Sequence, residues 1–242
     1  MNGTVHLVGA GPGAPDLLTL RAARLLAEAD VVLVDRLVDA ATLDLVSDHA
    51  EIIHVGKTPG GDQDAVQETI TQLMISHARA GRTVVRLKGG DPMVFGRGGE
   101  EVLELNRAGI DVVVTPGVSS LLAAAASGRF GLTHRNVASA FAVVTGTGVK
   151  GIDWARYVAV DTIVILMGVG PRARIAADLI AAGRRRDEPV AFVESATLPT
   201  ERIVASTLAA VAAGQVDVSS PAVWIIGDVV TAASVAALAA TG

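Results

Sequence analysis

The sequence predicts a two-domain α/β protein, with a mostly parallel, doubly wound sheet in the N-terminal part and a mixed α/β domain in the C-terminal part. Three observations carry this. Short β-branched runs alternate with Ala/Leu-rich segments of helical period as far as about residue 115. Those runs are apolar throughout instead of alternating with polar residues, as expected of strands covered by helices on both faces. Beyond that point strands outnumber helices, which favours a partly antiparallel sheet.

Taken in order, "TVHLV" (4–8) opens the first strand, a helix follows from about Asp16 to Glu28, and "VVLV" (31–34) is the second strand. "EIIHV" (51–55) is the third, followed by a helix over about 64–80. "TVVRL" (83–87), a helix near 99–107 and "DVVVT" (111–115) complete the first domain. "TPGVSS" (115–120) marks the joint, because Pro and Gly end the strand and the serines can cap the Ala-rich helix that follows. The expected domains are therefore 1–115 and 116–242. The second contains "FAVVTG" (141–146), "TIVILMG" (162–168), a helix from about Arg172 to Ala182, "PVAFVE" (189–194), "RIVAST" (202–207) and "PAVWIIG" (221–227). "GRRRDE" (183–188) reads as a helix C-cap with basic residues near the negative end of the dipole.

Composition narrows the classes of function. Hydrophobic residues make up 50% and charged residues 19%, neither of which suggests disorder. No run is long and apolar enough for a membrane span, and the first residues lack the basic and apolar regions of a leader. A cytoplasmic protein without a membrane partner is expected. The absence of cysteine excludes disulfides and thiolate chemistry, and the five histidines show no metal-ligand spacing, so no metal is expected. A net charge of -5 argues against generic nucleic-acid binding, while leaving room for a local basic pocket.

Three loops at strand ends are candidate sites. "GAGPG" (9–13) follows the first strand, but Pro12 and Gly13 interrupt the dinucleotide pattern and Ala14 takes the place of its last glycine, so a tight βα turn stays open beside nucleotide binding. Asp35 and Lys57 stand just beyond the second and third strands, where open α/β sheets place their ligand sites. A solvated strand terminus, or for Asp35 a partnership with Arg36, is the plainer reading. "VVRLKGGDPMVFGRGGEE" (84–101) is the strongest stretch. Gly89 and Gly90 allow backbone to approach a ligand closely, Asp91 can accept from a hydroxyl or amine, and Pro92 fixes the exit. The loop is longer and richer in glycine than ordinary βα connections, and Glu100 and Glu101 open the next helix at its positive end.

Together with "VGKTPGG", "VVTPGVSS", "LTHR", "VVTG", "DW", "LMG" and "PVAFVE", these blocks resemble, in order and over nearly the whole chain, the tetrapyrrole methylases that use S-adenosylmethionine, and among them the uroporphyrinogen-III C-methyltransferase branch. The resemblance implies an S-adenosylmethionine pocket lined by Pro12, Gly89, Gly90, Asp91, Val94, Ser119 and Ser120. Met167 and Ala196 complete it from the second domain, so that the cofactor lies between domains. It implies acid/base roles for Asp35 and Lys57. The reaction implied is methylation of uroporphyrinogen III at C2 and C7, giving precorrin-2 and two S-adenosylhomocysteines for sirohaem or cobalamin synthesis. The substrate is then a small-molecule tetrapyrrole with eight carboxylates, for which Arg36, Lys57, Arg97 and Arg135 are the nearest cationic candidates. A homodimer is implied as well.

The chain departs from the family pattern in "GRFGLTHR", "TGTG" (145–148) and "VESAT", all in the second domain, where substrate choice is expected to be decided. Nothing in it resembles the dehydrogenase and ferrochelatase part of sirohaem synthesis, so precorrin-2 and not sirohaem is the expected product. Three alternatives stay open: a methylase of a later corrin precursor, a nucleotide-binding oxidoreductase read from "GAGPG" with Asp35 as its acidic residue, and a non-catalytic tetrapyrrole- or nucleotide-binding module.

Overall fold

The computed structural model describes residues 2–56, 63–147 and 151–232. The chain divides into two compact units, Met1–Ser120 and Leu121–Gly242, the division falling after Ser120 where the sequence suggested Thr115.

The first unit is a five-stranded parallel sheet in the order β3-β2-β4-β1-β5, built from β1 (Val5–Gly9), β2 (Val31–Val34), β3 (Glu51–His54), β4 (Val84–Lys88) and β5 (Val112–Thr115). Helices α1 (Leu20–Glu28), α2 (Gln63–Arg79) and α3 (Gly98–Arg107) connect the strands. Because the chain order reverses about β1 and β4 and every strand is parallel, the carboxyl ends of β1, β2, β4 and β5 open on one side, where such sheets bind ligands. One face of the sheet buries Val8, Val32, Val34, Val85 and Leu87 against α1 residues Ala22, Leu25 and Leu26. The other buries Leu7, Leu33 and Val84 with Ile70 and Met74 of α2 and Leu105 of α3.

The helix expected from Asp16 is shorter at its start. Pro15–Leu17 form a single 3-10 turn, Leu18 is extended, and α1 begins only where the Thr19 hydroxyl accepts a bond of 3.1 Å from the Ala22 amide. Burial on both faces also holds less widely than the apolar runs suggested. β1, β2 and β4 are buried, but β3 and β5 lie at the two edges of the sheet and keep exposed residues.

The second unit is a mixed sheet in the order β6-β7-β10-β8-β9. It comprises β6 (Phe141–Thr145), β7 (Thr162–Leu166), β8 (Pro189–Glu194), β9 (Arg202–Thr207) and β10 (Ala222–Ile226), with α4 (Ser120–Gly128), α5 (Arg172–Ala182) and α6 (Leu208–Ala212). β6 and β7 are parallel, whereas β10 runs antiparallel to both β7 and β8. Two ring systems centre its core: Phe192 and Trp224, opposite one another on β8 and β10, stack with centroids 5.0 Å apart. Both are almost fully buried. Phe192→Ala is therefore expected to cost about 3–5 kcal/mol, read as a lower denaturant midpoint; an unchanged midpoint would mean that this core collapses without loss.

Gly183 ends α5 with φ of 120°, as the "GRRRDE" reading anticipates. Arg184 serves a different purpose from a dipole partner. It is buried, bonded to Glu188, and donates from Nη1 to the carbonyls of Val158 and Val160 at 3.1 and 2.5 Å.

Candidate active site

Three backbone loops meet at the strand ends of the first unit. The Gly11 amide donates to the Gly90 carbonyl at 3.2 Å and the Gly90 amide returns a bond of 2.7 Å to the Gly11 carbonyl. The third loop packs against this pair. A Cβ on Gly9 would lie 2.5 Å from the Gly117 nitrogen, and one on Gly117 would lie 2.3 Å from the Gly90 oxygen. Gly90 itself has φ of 68°, a conformation that other residues reach only at a cost. Asp91 locks the assembly: Oδ1 accepts from the Met93 amide at 2.8 Å and Oδ2 from the Gly117 amide at 3.1 Å. Its first duty is thus to tie the β4 loop to the β5 loop, a role that "GGDP" alone did not reveal.

Of the sequence-selected residues in this unit, Gly89, Gly90, Asp91, Ser119 and Ser120 are brought together. The Ser120 nitrogen and the Ser119 Cα are the atoms nearest a Cβ built on Gly90, at 3.6 and 3.9 Å, which leaves ordinary contact distance there. Pro12 follows the Gly11 bridge and Val94 follows Asp91 in the turn closed by its own amide on the Asp91 carbonyl. Both are partly exposed. The exposed apolar side chains Met93 and Phe95 stand on the loop after β4 and Leu37 on the loop after β2, and Leu37 Cβ is the nearest atom to a Cβ built on Gly89, at 3.4 Å.

Asp35 directly follows β2, its amide donating to the Leu87 carbonyl, and its side chain is 28% exposed. Its Oδ1 accepts from Arg86 Nη2 at 2.5 Å, so its charge partner is this buried residue of β4 and not the neighbouring Arg36, which is exposed. Behind it lies a charge set that sequence reasoning missed. Arg86 Nε and Lys88 Nζ reach Glu101 Oε1 at 3.3 and 3.1 Å, Gln67 Nε2 donates to the same oxygen at 2.8 Å, and Lys88 Nζ stands 4.0 Å from Asp35 Oδ2. Arg86, Lys88, Glu101 and Gln67 are all buried. The sequence signal was two cations, two residues apart, at the end of an apolar run; the strand proves to extend through Lys88, which places both on one face.

Burial, reinforced by Arg86, lowers the pKa of Lys88 below the 10.5 of an ordinary lysine, while Glu101 and Asp35 oppose the shift. The unfolded lysine then binds its proton more tightly than the folded one, so this residue makes stability rise with pH up to about 10.5. Denaturant unfolding at stepped pH is expected to show that rise in the wild type and a flatter profile in Lys88→Met. Equal slopes would contradict it.

The other cations differ in availability. Lys57 lies outside the described residues. Arg97, at the start of α3 with φ of 59°, is paired with Glu100 at 2.6 Å and Asp64 at 3.0 Å. Arg135 is exposed on the rim of a cavity of about 400 Å³ in the second unit, lined by residues 133–139 and Asp161.

In the second unit, β7 and β8 both run opposite to β10, so their carboxyl ends point the same way. Met167 follows β7 with φ of 55°, and Ser195 and Thr197 follow β8 with φ of 46° and 72°. Three non-glycine residues are thus held in the left-handed region just beyond β7 and β8, the two strands that flank β10. Ala196, between two of them, is buried, while Met167 is 50% exposed. Among the described residues no cluster of three or more His, Asp or Glu could hold a metal ion, and no helix is long and apolar enough to cross a membrane.

Residues 4–212 match the family model of the Tetrapyrrole (Corrin/Porphyrin) Methylases. A structure of uroporphyrin-III C-methyl transferase from Thermus thermophilus, complexed with S-adenyl homocysteine, is 51% identical, with a TM-score of 0.84 over 95% of this chain and 94% of that one. A cobalt precorrin-4 methyltransferase structure is 29% identical, with a TM-score of 0.82 over 94% and 95% of the two chains. Among curated relatives, the siroheme synthases of Acinetobacter baylyi and Azotobacter vinelandii are 43% and 45% identical over 95% and 94% of this chain. The chain spans about half the length of these relatives, 51% and 50% respectively. The chain belongs to the tetrapyrrole methylase family.

Proposed function

We propose that the chain is an S-adenosylmethionine-dependent C-methyltransferase that converts uroporphyrinogen III, by methylation at C2 and C7, to precorrin-2 and two S-adenosylhomocysteines. The observation that carries the reading is the 51% identity, over nearly the full length of both chains, to a uroporphyrin-III C-methyl transferase complexed with S-adenyl homocysteine. The later-precursor methylase is similar in fold but far less identical, at 29%. The product is read as feeding sirohaem or cobalamin synthesis, and a homodimeric, cytoplasmic enzyme without nucleic-acid or membrane partners is part of the same reading.

The residues present suit such a cofactor. Gly89 and Gly90 offer backbone without Cβ obstruction beside Ser119 and Ser120, and Asp91 holds this cradle in shape. Pro12, Val94, Met167 and Ala196 are read as further cofactor contacts. When bound, S-adenosylmethionine supplies an electrophilic methyl group on a sulfonium. Leu37, Met93 and Phe95 give a flat macrocycle apolar surface to rest on and exclude water from the reacting carbon. Asp35 Oδ1 is engaged by Arg86, so Oδ2 is the oxygen that takes the proton released from the methylated macrocycle. Lys57 keeps an acid/base role in this reading. Arg36 and Arg135, both exposed, are read as partners of substrate carboxylates. Arg97 serves in that way only by exchanging Asp64 or Glu100 for a substrate carboxylate.

A panel of anaerobic incubations with uroporphyrinogen III and later corrin precursors, read by product mass, tests the substrate. A dimethylated product from uroporphyrinogen III alone is expected. Turnover of a later precursor with none of uroporphyrinogen III would replace this reading.

A further inference from the structure

The buried charge set behind Asp35 is more elaborate than stability requires. Arg86 faces Leu7 of β1 and Leu33 of β2 in register, on a face packed with Ile70 and Leu105, where an apolar side chain would fit the surroundings. Buried ion pairs commonly stabilise no better than well-packed apolar residues of similar volume. Every nitrogen of Arg86 is nonetheless assigned: Nη2 to Asp35, Nε to Glu101, and Nη1 to the Leu33 and Leu87 carbonyls at 3.4 Å each. Glu101 Oε1 accepts three donors, while its buried Oε2 has no hydrogen-bond partner among the described residues. The two cations and two carboxylates balance, and Asp35 is the one member of the four with appreciable solvent exposure.

We propose that Glu101 is a positioning residue for methyl transfer: by anchoring Arg86 and Lys88 it fixes the orientation and charge surroundings of the Asp35 carboxylate. The inference rests on the reading of Asp35 as proton acceptor. With Glu101 neutral, Arg86 and Lys88 would have Asp35 as their remaining carboxylate in the set. That would hold Asp35 in its ionised form and make it a poorer acceptor of the substrate proton. Lys88 belongs to the same set: burial and Arg86 weaken its hold on a proton, and Glu101, with its bond of 3.1 Å to Nζ, opposes that loss in part.

Glu101→Gln separates charge from shape. An amide can keep its oxygen at the Oε1 position, with its three donors, and place its nitrogen where Oε2 makes no bond. In the full chain, assayed anaerobically with S-adenosylmethionine and uroporphyrinogen III, Glu101→Gln is expected to lower kcat about 10- to 100-fold, the scale known for outer partners that orient metal ligands. KM and the affinity for S-adenosylhomocysteine stay within about twofold, and the acid limb of the kcat profile moves to lower pH. Added to Asp35→Asn, the same change is expected to have little further effect, because the two act through one group.

A folded Glu101→Gln enzyme with wild-type kcat and pH profile would overturn the inference while leaving Asp35 as the base. So would a loss carried undiminished into the Asp35→Asn background. Full turnover by Asp35→Asn alone would remove the base reading and the inference with it. If Glu101→Gln does not fold, Arg86→Lys decides by the same readouts: lysine keeps the charge but lacks the two separate nitrogens, Nε and Nη2, with which the planar guanidinium holds Glu101 and Asp35.

Discussion

Gly117→Ala is expected to disable the enzyme through backbone collision, although the side chain added is a single methyl group. The new Cβ would lie 2.3 Å from the Gly90 carbonyl oxygen and 2.8 Å from the Gly9 Cα, both backbone atoms that no rotamer change can move. Relief requires the β1, β4 and β5 loops to separate, breaking the bond from the Gly117 amide to Asp91 and disturbing the paired bonds between Gly11 and Gly90. A cost of at least about 1–3 kcal/mol follows from overpacking of this kind, with loss of S-adenosylhomocysteine binding because the displaced backbone forms the proposed cradle. A thermal scan and a calorimetric titration check both. A wild-type melting midpoint with wild-type affinity would show that the loops are not as closely joined as described.

Asp35→Asn is expected to lower kcat by about 10²- to 10⁴-fold, the usual contribution of a positioned acid or base, with little change in affinity for S-adenosylhomocysteine. Asparagine is the informative substitution. Asp35→Ala would also lower turnover, but it would remove the acceptor of the 2.5 Å bond from buried Arg86 and mix a folding defect with the chemical one. Loss of cofactor affinity equal to the loss of turnover would contradict the assignment of Asp35 as base.

Much of the fold was legible because it rests on local signals. Apolar β-branched runs marked the strands of both units, and Gly183 marked the end of α5. The start of α1 was misplaced because Asp16 and Thr19 both resemble helix starts, and only the bond from Ala22 to the Thr19 hydroxyl distinguishes them. The glycine-rich loops announced a site, but their mutual packing did not show. Gly117 reads in sequence as the residue that ends a strand, whereas its decisive neighbours, Gly9 and Gly90, are far away along the chain.

The charged set was hidden for the same reason. Arg86 and Lys88 look like interruptions in an apolar strand, and Glu101 looks like one of two acidic residues at a helix start. The difference between Glu100, exposed and paired with Arg97, and Glu101, buried under Arg86 and Lys88, comes from which side of α3 meets the sheet. Charge alone also could not show that Arg97 has carboxylate partners while Arg36 and Arg135 are exposed.

The most direct test of the proposed activity is an anaerobic incubation of the purified chain with S-adenosylmethionine and uroporphyrinogen III, counting S-adenosylhomocysteine released per macrocycle consumed and weighing the product. A ratio near two with a dimethylated macrocycle is the expected result. Absence of release, with calorimetric binding of the cofactor intact, would contradict methylation of this substrate while leaving the fold and the cofactor cradle in place.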